Sequence, residues 1–569
     1  MRRFIAVALS ASVLLGTVSP LAAQIGNSGS YLAARQAGLS RDYSKAAEYF
    51  SRALSLDPRN QALMENALSA QASIGRFDRA LPVARRMEQE GYANALAHLV
   101  FVVHEAQDGD FAAVLDRFDS GQSLGGLIDG LVAGWAAFGE GRVSDALAQF
   151  DMVAAERGLD QLGLYHKALA LAVAGDYDSA VSILSGEAGV DMAVSQRGVV
   201  AFAQMLSQLD RNEDALALLL ARFGDHPRYQ GMIAQLEAGE TIPFDIITSA
   251  GDGIAETFYS GAQIFLWQRE NMRQADVSPS LIYAQAALQL NPGHIEALML
   301  IASVMEELEL YDLAVETYDR VPRQDPAYLE AQIGRAEALR RNERFEASIE
   351  ALSQLSKLYP ENFMVQLTLG DTYGRVEAWE DALTAYNRAI SLRDPAQAQD
   401  WRTFYARGVA LERLKRMEES EADFRAALAI EPENPRVLNY LGYSLVEEGR
   451  KLDEALQMIE LAVSKRPEDG YIVDSLGWVY YRLGRYEEAV DPMERAAMLM
   501  STDPIVNDHL GDVYWAVGRK IEADFQWRRA LSFGPEPEEA DRIRRKLEVG
   551  LDQVLEEEGA DYIPFPDEG

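Results

Sequence analysis

The chain has 569 residues, no cysteine and a formal net charge of −36, because 89 aspartates and glutamates outnumber 53 lysines and arginines. This charge repels nucleic acid and anionic lipid surfaces, so we expect neither as a partner. The lack of cysteine excludes a disulfide framework, a thiolate metal site and a cysteine nucleophile. A hydrophobic fraction of 48% favours a folded protein over a disordered one.

Residues 1–23 have the pattern of a secretory signal peptide. Arg2 and Arg3 supply the positive start, and residues 4–18 form an apolar run before an acceptable cleavage site ahead of Gln24. The alternative is that the segment is kept as a membrane anchor, although it is shorter than the usual spanning helix. Without a cysteine after the apolar run, lipidation by the bacterial lipoprotein route is excluded. We expect an exported, periplasmic protein.

Residues 24–224 are predicted to form a first, degenerate block of repeated helix pairs. Small residues recur there at a spacing of 34 residues, which separates Ala46 from Ala80 and Gly141 from Gly175. A repeat of this length holds two short antiparallel helices that stack on the next pair. About six such pairs fit between residues 30 and 223.

Residues 225–253 lose the pattern and are predicted to be an irregular connection between two blocks. A continuous superhelix with one long loop is the alternative, and the sequence leaves both open. The second block, residues 254–535, regains the period, because Pro292, Pro326 and Pro360 each follow a helix pair at intervals of 34 residues.

The repeats are most regular within residues 435–535, where one helix pair is written three times. Three glycines recur at one position of the pair and three alanines at another, which are Gly442, Gly477 and Gly511, then Ala462, Ala496 and Ala530. Small residues at these points predict that two helix backbones approach closely. Residues 536–558 carry an apolar stripe at every fourth residue from Ile543 to Leu555 and are predicted to form a capping helix. Residues 559–569 form an acidic tail.

The chain resembles the tetratricopeptide repeat family from about residue 30 to residue 535, strongly after residue 281. The motifs LNYLGYSL, DGYIVDSLGWVYYRLGRYEEA and VNDHLGDVYWAVGR carry the resemblance. It implies an all-α fold, an α-solenoid in which antiparallel helix pairs form a right-handed superhelix with a C-terminal capping helix. Such a fold binds other proteins.

Within that family the chain is similar to exported bacterial repeat proteins. The best understood of these is an outer-membrane lipoprotein that acts as adaptor for a periplasmic carboxyl-terminal processing protease and its cell-wall hydrolase substrates. The resemblance implies adaptor activity with those partners. The chain departs from that group because it lacks the lipidated cysteine.

In such repeats the first helix of each pair lines an inner groove. Its second, fifth, ninth and twelfth positions, counted from Pro435, Gly470 and Pro504, predict a partner-binding groove made of Arg436, Asn439, Tyr443, Asp474, Trp478, Tyr481, Asp508, Asp512 and Trp515. Aromatic rings among carboxylates suit a peptide with basic and apolar side chains. The alternative is that Trp478, Tyr481 and Trp515 fill space between helices. The family's carboxylate clamp needs lysine and asparagine where Asp508 and Asp512 stand, so we do not expect that use.

We find little sign of chemistry in the sequence, and we expect no enzyme activity, cofactor or metal. The six histidines include no pair at the i, i+4 spacing that places two imidazoles on one helical face. Residues 121–125, Gly-Gln-Ser-Leu-Gly, match the nucleophile elbow, but they lie between predicted helices without the preceding strand that the elbow requires. We interpret them as a turn between helices.

The sequence therefore predicts a non-catalytic scaffold or adaptor of the cell envelope that binds proteins or peptides in its groove. An alternative is a structural component of an export or exopolysaccharide-assembly complex at the outer membrane, where repeat arrays act as spacers. An enzyme is a third hypothesis, and it lacks a non-repeat domain large enough to hold a site.

Overall fold

The computed structural model describes residues 27–40, 42–186, 195–224, 226–272, 276–392 and 400–559. Within these ranges the chain forms 31 α-helices, one 3-10 turn and no β-strand, which confirms the predicted all-α fold. None of these helices combines the length and the apolar character that crossing a bilayer requires. The predicted signal peptide and residues 560–569 of the acidic tail lie outside the described residues.

Residue contacts divide the chain into two units, Met1–Glu343 and Arg344–Gly569. The first unit contains eighteen of the described α-helices: α1 (Asn27–Leu39), α2 (Tyr43–Leu56), α3 (Gln61–Ser73), α4 (Phe77–Gln89), α5 (Ala95–Gln107), α6 (Phe111–Asp119), α7 (Gly126–Gly139), α8 (Val143–Ala154), α9 (Asp160–Val173), α10 (Tyr177–Leu184), α11 (Gln196–Gln208), α12 (Asn212–Phe223), α13 (Gln230–Glu237), α14 (Ala250–Met272), α15 (Ser278–Leu290), α16 (Ile295–Glu307), α17 (Tyr311–Tyr318) and α18 (Tyr328–Arg341).

Helices α1–α12 form six consecutive pairs, the number that the sequence period predicts. The recurring glycines of this region lie in the turn between the two helices of a pair. Gly109, for example, has a φ of +73° after α5, and Gly175 has a φ of +86° after α9. Side chains other than glycine rarely adopt this backbone conformation, which accounts for the spacing of these glycines in the sequence.

The segment after the sixth pair contains a 3-10 turn at Pro227–Tyr229 and α13, and then irregular backbone as far as α14. It lies inside the first unit, and the proposed division of the repeats at residues 225–253 stays a prediction.

Helices α14 and α15 pack on the first helices of the preceding pairs. α14 contacts α5, α7 and α9, and α15 contacts α3 and α5. The crossing of α14 and α7 is so close that a Cβ on Gly253 would lie 2.0 Å from the ring of Trp135, which is fully buried. In the first unit, the chain's own helices therefore cover much of the first-helix face.

A buried ion cluster holds α14 in this position. The guanidinium of Arg197 on α11 lies 2.7 Å from Glu256 on α14 and 2.6 Å from Glu296 on α16. Arg228, in the 3-10 turn, approaches the other oxygen of Glu296 to 2.6 Å. Burial alone would raise the pKa of Glu256, but Arg197 and then His294 hold that pKa well below its usual range. The cluster thus joins four elements through charges that are shielded from water.

The second unit contains the remaining thirteen described helices: α19 (Phe345–Leu358), α20 (Phe363–Arg375), α21 (Trp379–Ser391), α22 (Trp401–Arg413), α23 (Met417–Ile430), α24 (Pro435–Glu447), α25 (Leu452–Lys465), α26 (Gly470–Arg482), α27 (Tyr486–Leu499), α28 (Pro504–Ala516), α29 (Lys520–Ser532), α30 (Pro537–Val549) and α31 (Leu551–Glu557).

The small residues of the regular repeats mark close contacts within each helix pair, as the sequence predicts. A Cβ on Gly442 would lie 2.7 Å from Ile459, one on Gly477 would lie 2.5 Å from Met493, and one on Gly511 would lie 2.5 Å from Trp527. The three recurring alanines of the second helices are fully buried. A larger residue at these positions would push the two helices apart.

The predicted capping helix is present as two helices, α30 and α31, and the prediction of one continuous helix was wrong. Gly550 separates them with a φ of +86°, a backbone conformation that no helix continues through. The apolar stripe still faces the last repeat, because Ile543 and Leu551 are buried in the same core cluster as Trp527. The cap comprises these two helices.

Candidate functional site

The site is built on the first helices of three successive pairs in the second unit. α24 contacts α26, and α26 contacts α28, so these helices form a row. Each helix is preceded by a capping residue whose side chain accepts hydrogen bonds from backbone N–H groups of the first turn. These capping residues are Asn434, Asp469 and Asp503. Because the three helices begin in the same way, equivalent positions of the repeat lie next to one another along the row.

A cavity of about 710 Å³ lies between this row and the cap, and we call it the cap pocket. α24, α26 and α28 form one side, and α30 and α31 form the other. Its lining includes Tyr443, Glu447, Trp478, Tyr481, Arg482, Ile505, His509, Glu539, Arg542 and Glu558. The pocket is large enough for several side chains of a bound peptide.

Three stacked rings form the wall of the cap pocket. The ring of Trp478 lies between Tyr481 and His509, with centroids 4.8 Å and 3.9 Å away and interplanar angles of 12° and 14°. The indole N–H of Trp478 donates a hydrogen bond to the carboxylate of Glu447, at 2.6 Å. This bond and the stacking fix the ring plane, so the wall is rigid before any ligand arrives.

His509, the ring that α28 contributes to this wall, is buried and paired with Asp474. Its Nδ1 atom lies 3.1 Å from a carboxylate oxygen of Asp474. Burial opposes the charged imidazolium, but Asp474 outweighs that effect and, with Asp508 and Asp512, raises the pKa of His509 above its usual value. Asp474 therefore favours the charged form of the His509 ring. Both side chains support the wall rather than point into open solvent.

Lys546 anchors the cap to the repeats. Its ammonium group, which is fully buried, lies 2.8 Å from Asp508 and 2.6 Å from Asp512 on α28. Arg542 adds a second contact to Asp512, at 3.6 Å, and pairs with Glu558 at 2.7 Å. Burial raises the pKa of Asp508 although Lys546 opposes this shift. These contacts make the cap a fixed wall of the pocket.

The lining of the cap pocket carries more negative than positive groups. Asp508 and Asp512 are already paired with Lys546. The other carboxylates are those of Glu447, Glu539 and Glu558, and the guanidinium groups are those of Arg482 and Arg542. Ile505 adds apolar surface, since 44% of its side chain and backbone area is exposed. The pocket thus offers aromatic and apolar contact area next to acids, the combination that suits basic and apolar side chains.

A second pocket, of about 480 Å³, lies nearer the N-terminal ends of α22, α24 and α26. We call it the arginine pocket, because Arg402, Arg436 and Arg466 line it together with Trp401, Asn439 and Tyr440. Arg402 lies over the ring of Trp401, with 5.4 Å between the guanidinium carbon and the ring centroid. Its charge differs in sign from that of the cap pocket.

The nine residues predicted as one groove are divided by the structure. Five line the cap pocket, which are Tyr443, Trp478, Tyr481, Asp508 and Asp512, while Arg436 and Asn439 line the arginine pocket. Asp474 is buried against His509. The side chain of Trp515 donates a hydrogen bond to Asp552 of α31 and lies against Gly550, so it packs on the cap. For Trp515 the structure matches the alternative interpretation of a space-filling ring, and Trp478 and Tyr481, which are 9% and 7% exposed, also fill space between helices with most of their area.

Sequence reasoning missed the half of the cap pocket that does not belong to the repeats. The cap contributes Glu539, Arg542 and Glu558, which have no equivalent position in the repeat motif. Within the repeats it missed His509, although its place beside Asp508 on a first helix was a usable signal. Ile505 was missed as well, at the same second position of its helix as Arg436 on α24.

The Gly-Gln-Ser-Leu-Gly stretch at residues 121–125 lies between α6 and α7, as predicted. The hydroxyl of Ser123 donates a hydrogen bond to Asp129, and the carboxylate of Asp129 also accepts the backbone N–H of Leu124. These bonds are typical of a polar turn ahead of a helix.

Comparison with known proteins agrees with the repeat architecture. A family model described as tetratricopeptide repeat matches residues 131–188, 308–363, 333–395, 367–435 and 439–504. A curated relative, the TPR repeat-containing protein PA4667 of Pseudomonas aeruginosa, is 35% identical over 91 residues. That alignment spans 16% of this chain and 15% of the length of the relative.

Solved structures also show some similarity to the chain. The APC/C hetero-tetramer Cut9-Hcn1 aligns over 92% of this chain and 96% of the matched chain, at 14% identity and a TM-score of 0.38. A tetratricopeptide repeat protein from Parabacteroides merdae aligns over 45% of this chain and 98% of its own, at 17% identity and a TM-score of 0.37. The helix pairs described above give the chain an all-α solenoid fold, and the segments that the family model matches are similar to tetratricopeptide repeats.

Proposed function

We propose that the chain is a non-catalytic interaction scaffold that binds a segment of a partner protein in the cap pocket. The observation that carries the proposal is the rigid stack of Tyr481, Trp478 and His509, which faces a cavity of about 710 Å³ lined by carboxylates. Rigid aromatic rings give contact area at little cost in side-chain entropy, which is why they dominate binding surfaces.

The first unit supports the assignment of binding to the second. There α14 and α15 occupy the first-helix face of the preceding pairs, and the ion cluster around Arg197 holds α14 in place. An external segment would have to displace these helices and leave the carboxylate of Glu256 without its partner, which is costly for a buried charge. The cap pocket needs no such displacement.

The partner segment is proposed to carry basic and apolar side chains. Carboxylates of the pocket and the formal charge of −36 attract a basic segment from a distance, and the rings then bind its apolar or aromatic residues. Arginine would suit the site because its planar group also stacks on aromatic rings.

The place of action is proposed to be the bacterial periplasm, and the role that of an adaptor. Support comes from the predicted signal peptide and from the resemblance to exported repeat proteins that present substrates to a periplasmic protease. A protease and cell-wall hydrolases are therefore the proposed partners.

A matched pair of substitutions tests the pocket. Ile505→Lys places a positive charge at the mouth of the cap pocket, and Ile521→Lys places one on α29, where the side chain is 84% exposed. Both isoleucines are the second residue of their helix, so the effects on helix stability should be alike. We expect the wild type and Ile521→Lys to capture the same proteins from an envelope extract, and Ile505→Lys to lose them because it repels a basic segment. Equal capture by both variants would remove the cap pocket from the proposal.

A further inference from the structure

Three positive groups of the arginine pocket lack an ion-pair partner among the residues that the structure describes. Among the described residues, no carboxylate lies within ion-pair distance of the guanidinium of Arg402, Arg436 or Arg466. Other arginines of this unit are paired, such as Arg407 with Asp423 at 2.6 Å and Arg425 with Glu454 at 2.9 Å. In a chain with an excess of acids, three converging arginines without partners are unexpected.

The acids at the rim of this pocket do not neutralise it. Asp469 uses its carboxylate to accept the backbone N–H of Ile472 at the start of α26, and Glu431 lies at the end of α23. The lining thus has three guanidinium groups against two carboxylates. The N-terminal ends of α22, α24 and α26 lie here beside the C-terminal ends of α23 and α25, so the partial charges of the helix ends largely offset one another.

The two pockets lie along one helix at a distance that a short peptide spans. Arg436, in the arginine pocket, and Glu447, in the cap pocket, are eleven positions apart on α24. At about 1.5 Å per residue this is roughly 16 Å along the helix. An extended peptide covers that distance with about five residues, at about 3.3 Å each.

We propose that the arginine pocket is an anion-binding subsite for the side-chain carboxylates of the segment whose basic end lies in the cap pocket. The inference rests on the proposed function, because both pockets are taken to bind one segment. It defines the partner as bipolar, with acidic residues at one end and basic or aromatic residues about five positions away.

Synthetic peptides test the subsite with the full chain. The bipolar probe has two glutamates, a neutral spacer of five residues and an Arg-Trp-Arg end, and it is made in both orders with blocked termini. The comparison probe has glutamine in place of both glutamates. We expect the better order of the bipolar probe to bind the wild type about tenfold more tightly than its comparison probe, the effect of two charge-assisted contacts. Fluorescence anisotropy measures both affinities.

Arg436→Gln together with Arg466→Gln should remove this advantage while the glutamine probe binds as before. Both side chains are exposed, so the fold should survive, and helical circular dichroism checks that it does. Arg528→Gln is the matched control, because Arg528 is exposed on α29, outside both pockets, and should change neither affinity.

Each other outcome has a definite meaning. If the glutamine probe binds but the glutamates add nothing, the anion subsite is wrong and the cap pocket stands. If no probe binds, the proposed function fails at this site, and the subsite fails with it. A comparison probe made with a free C-terminal carboxylate should gain nothing, and equal binding of that probe and the bipolar probe would contradict the assignment to side-chain carboxylates. An advantage that appears solely after removal of residues 560–569 would assign the pocket to the chain's own acidic tail and overturn the proposal.

Discussion

The ammonium group of Lys546 on α30 lies 2.6 Å from a carboxylate oxygen of Asp512 on α28, and neither side chain has appreciable contact with solvent. Asp508 is the second carboxylate on the same ammonium group, at 2.8 Å. This cluster is a buried polar link between the cap and the last repeat. The cluster, the turn at Gly550 and two contacts of the first unit lead to four predictions about stability.

Lys546→Met should loosen the cap. Methionine keeps most of the volume but leaves Asp508 and Asp512 close together and buried, with Arg542 as a more distant partner. Removing one member of a buried ion cluster costs about 3–5 kcal/mol. Hydrogen exchange should rise across α30 and α31, and the urea midpoint should fall. Arg528→Met, which breaks an exposed pair with Asp524, should cost less than about 1 kcal/mol. Equal effects of the two substitutions would contradict the role of Lys546 as anchor.

Gly550→Ala should also weaken the cap, for two reasons that a control separates. The φ of +86° is strained for alanine, and the new Cβ would lie 2.7 Å from the ring of Trp515. Gly534→Ala also meets a positive φ, of +70°, but no atom within 4 Å of the Cβ. We expect Gly534→Ala to cost about 1–2 kcal/mol of strain and Gly550→Ala about 1–3 kcal/mol more from overpacking. Thermal unfolding of both variants gives the difference, and a difference of zero would mean that Trp515 moves away freely.

Gly253→Ala tests the crossing of α14 and α7 in the first unit. Its Cβ would lie 2.0 Å from Trp135, so one of the two helices must shift, and we expect a loss of about 1–3 kcal/mol. Gly251→Ala, two residues earlier on the same helix, meets its nearest atom at 3.7 Å. That substitution should be neutral or stabilise by up to about 1 kcal/mol, because alanine favours helix over glycine. Denaturant unfolding should therefore shift in opposite directions for the two variants, and a parallel shift would contradict the close crossing.

His166 should make the first unit sensitive to acid. Its Nδ1 atom accepts a hydrogen bond from the indole N–H of Trp135, at 2.9 Å, and burial lowers the pKa of His166 to about 4. The unfolded chain binds a proton near pH 6.5, so the stabilisation is complete above that pH and is lost as the pH falls toward 4. The whole loss is about 3 kcal/mol.

A non-titrating substitute isolates this effect. His166→Gln can still accept the hydrogen bond of Trp135, and its free energy of unfolding should fall less than that of the wild type between pH 6.5 and pH 4. His104→Gln, at a histidine with a partly exposed side chain, is the control and should follow the wild type. Parallel pH profiles for all three proteins would show that His166 does not cause the acid sensitivity.

The repeat period predicts the helix pairs because it records contacts between neighbours in sequence. Gly477, for instance, faces Met493 on the next helix, and the spacing of the glycines reflects that contact directly. The packing of α14 on α7 produces no periodic signal in the sequence. The contact between Gly253 and Trp135 occurs once and joins residues that are far apart in the chain. The period therefore indicates how each pair is built but not which later helix covers the first-helix face.

The residues of the candidate site also fall into those that the repeat period places correctly and those that it does not. Trp478 and Tyr443 could be placed on one surface from their repeat positions, and the structure brings both to the cap pocket. The prediction for Trp515 met a competing contact, since α31 packs on that ring through Gly550 and Asp552. Residues such as Glu539 and Arg542 come from a helix outside the repeats, so that no repeat position could refer to them.

The packing of α14 and α15 on earlier pairs has a consequence for any attempt to divide the protein experimentally. A fragment that stops at Phe223, where the sixth pair ends, would expose the buried ring of Trp135 and the unpaired guanidinium of Arg197 to water. Such a fragment should aggregate or unfold although every one of its repeats is intact. A cut after Glu343 keeps these helices together, and this boundary is the one at which truncated proteins should be made.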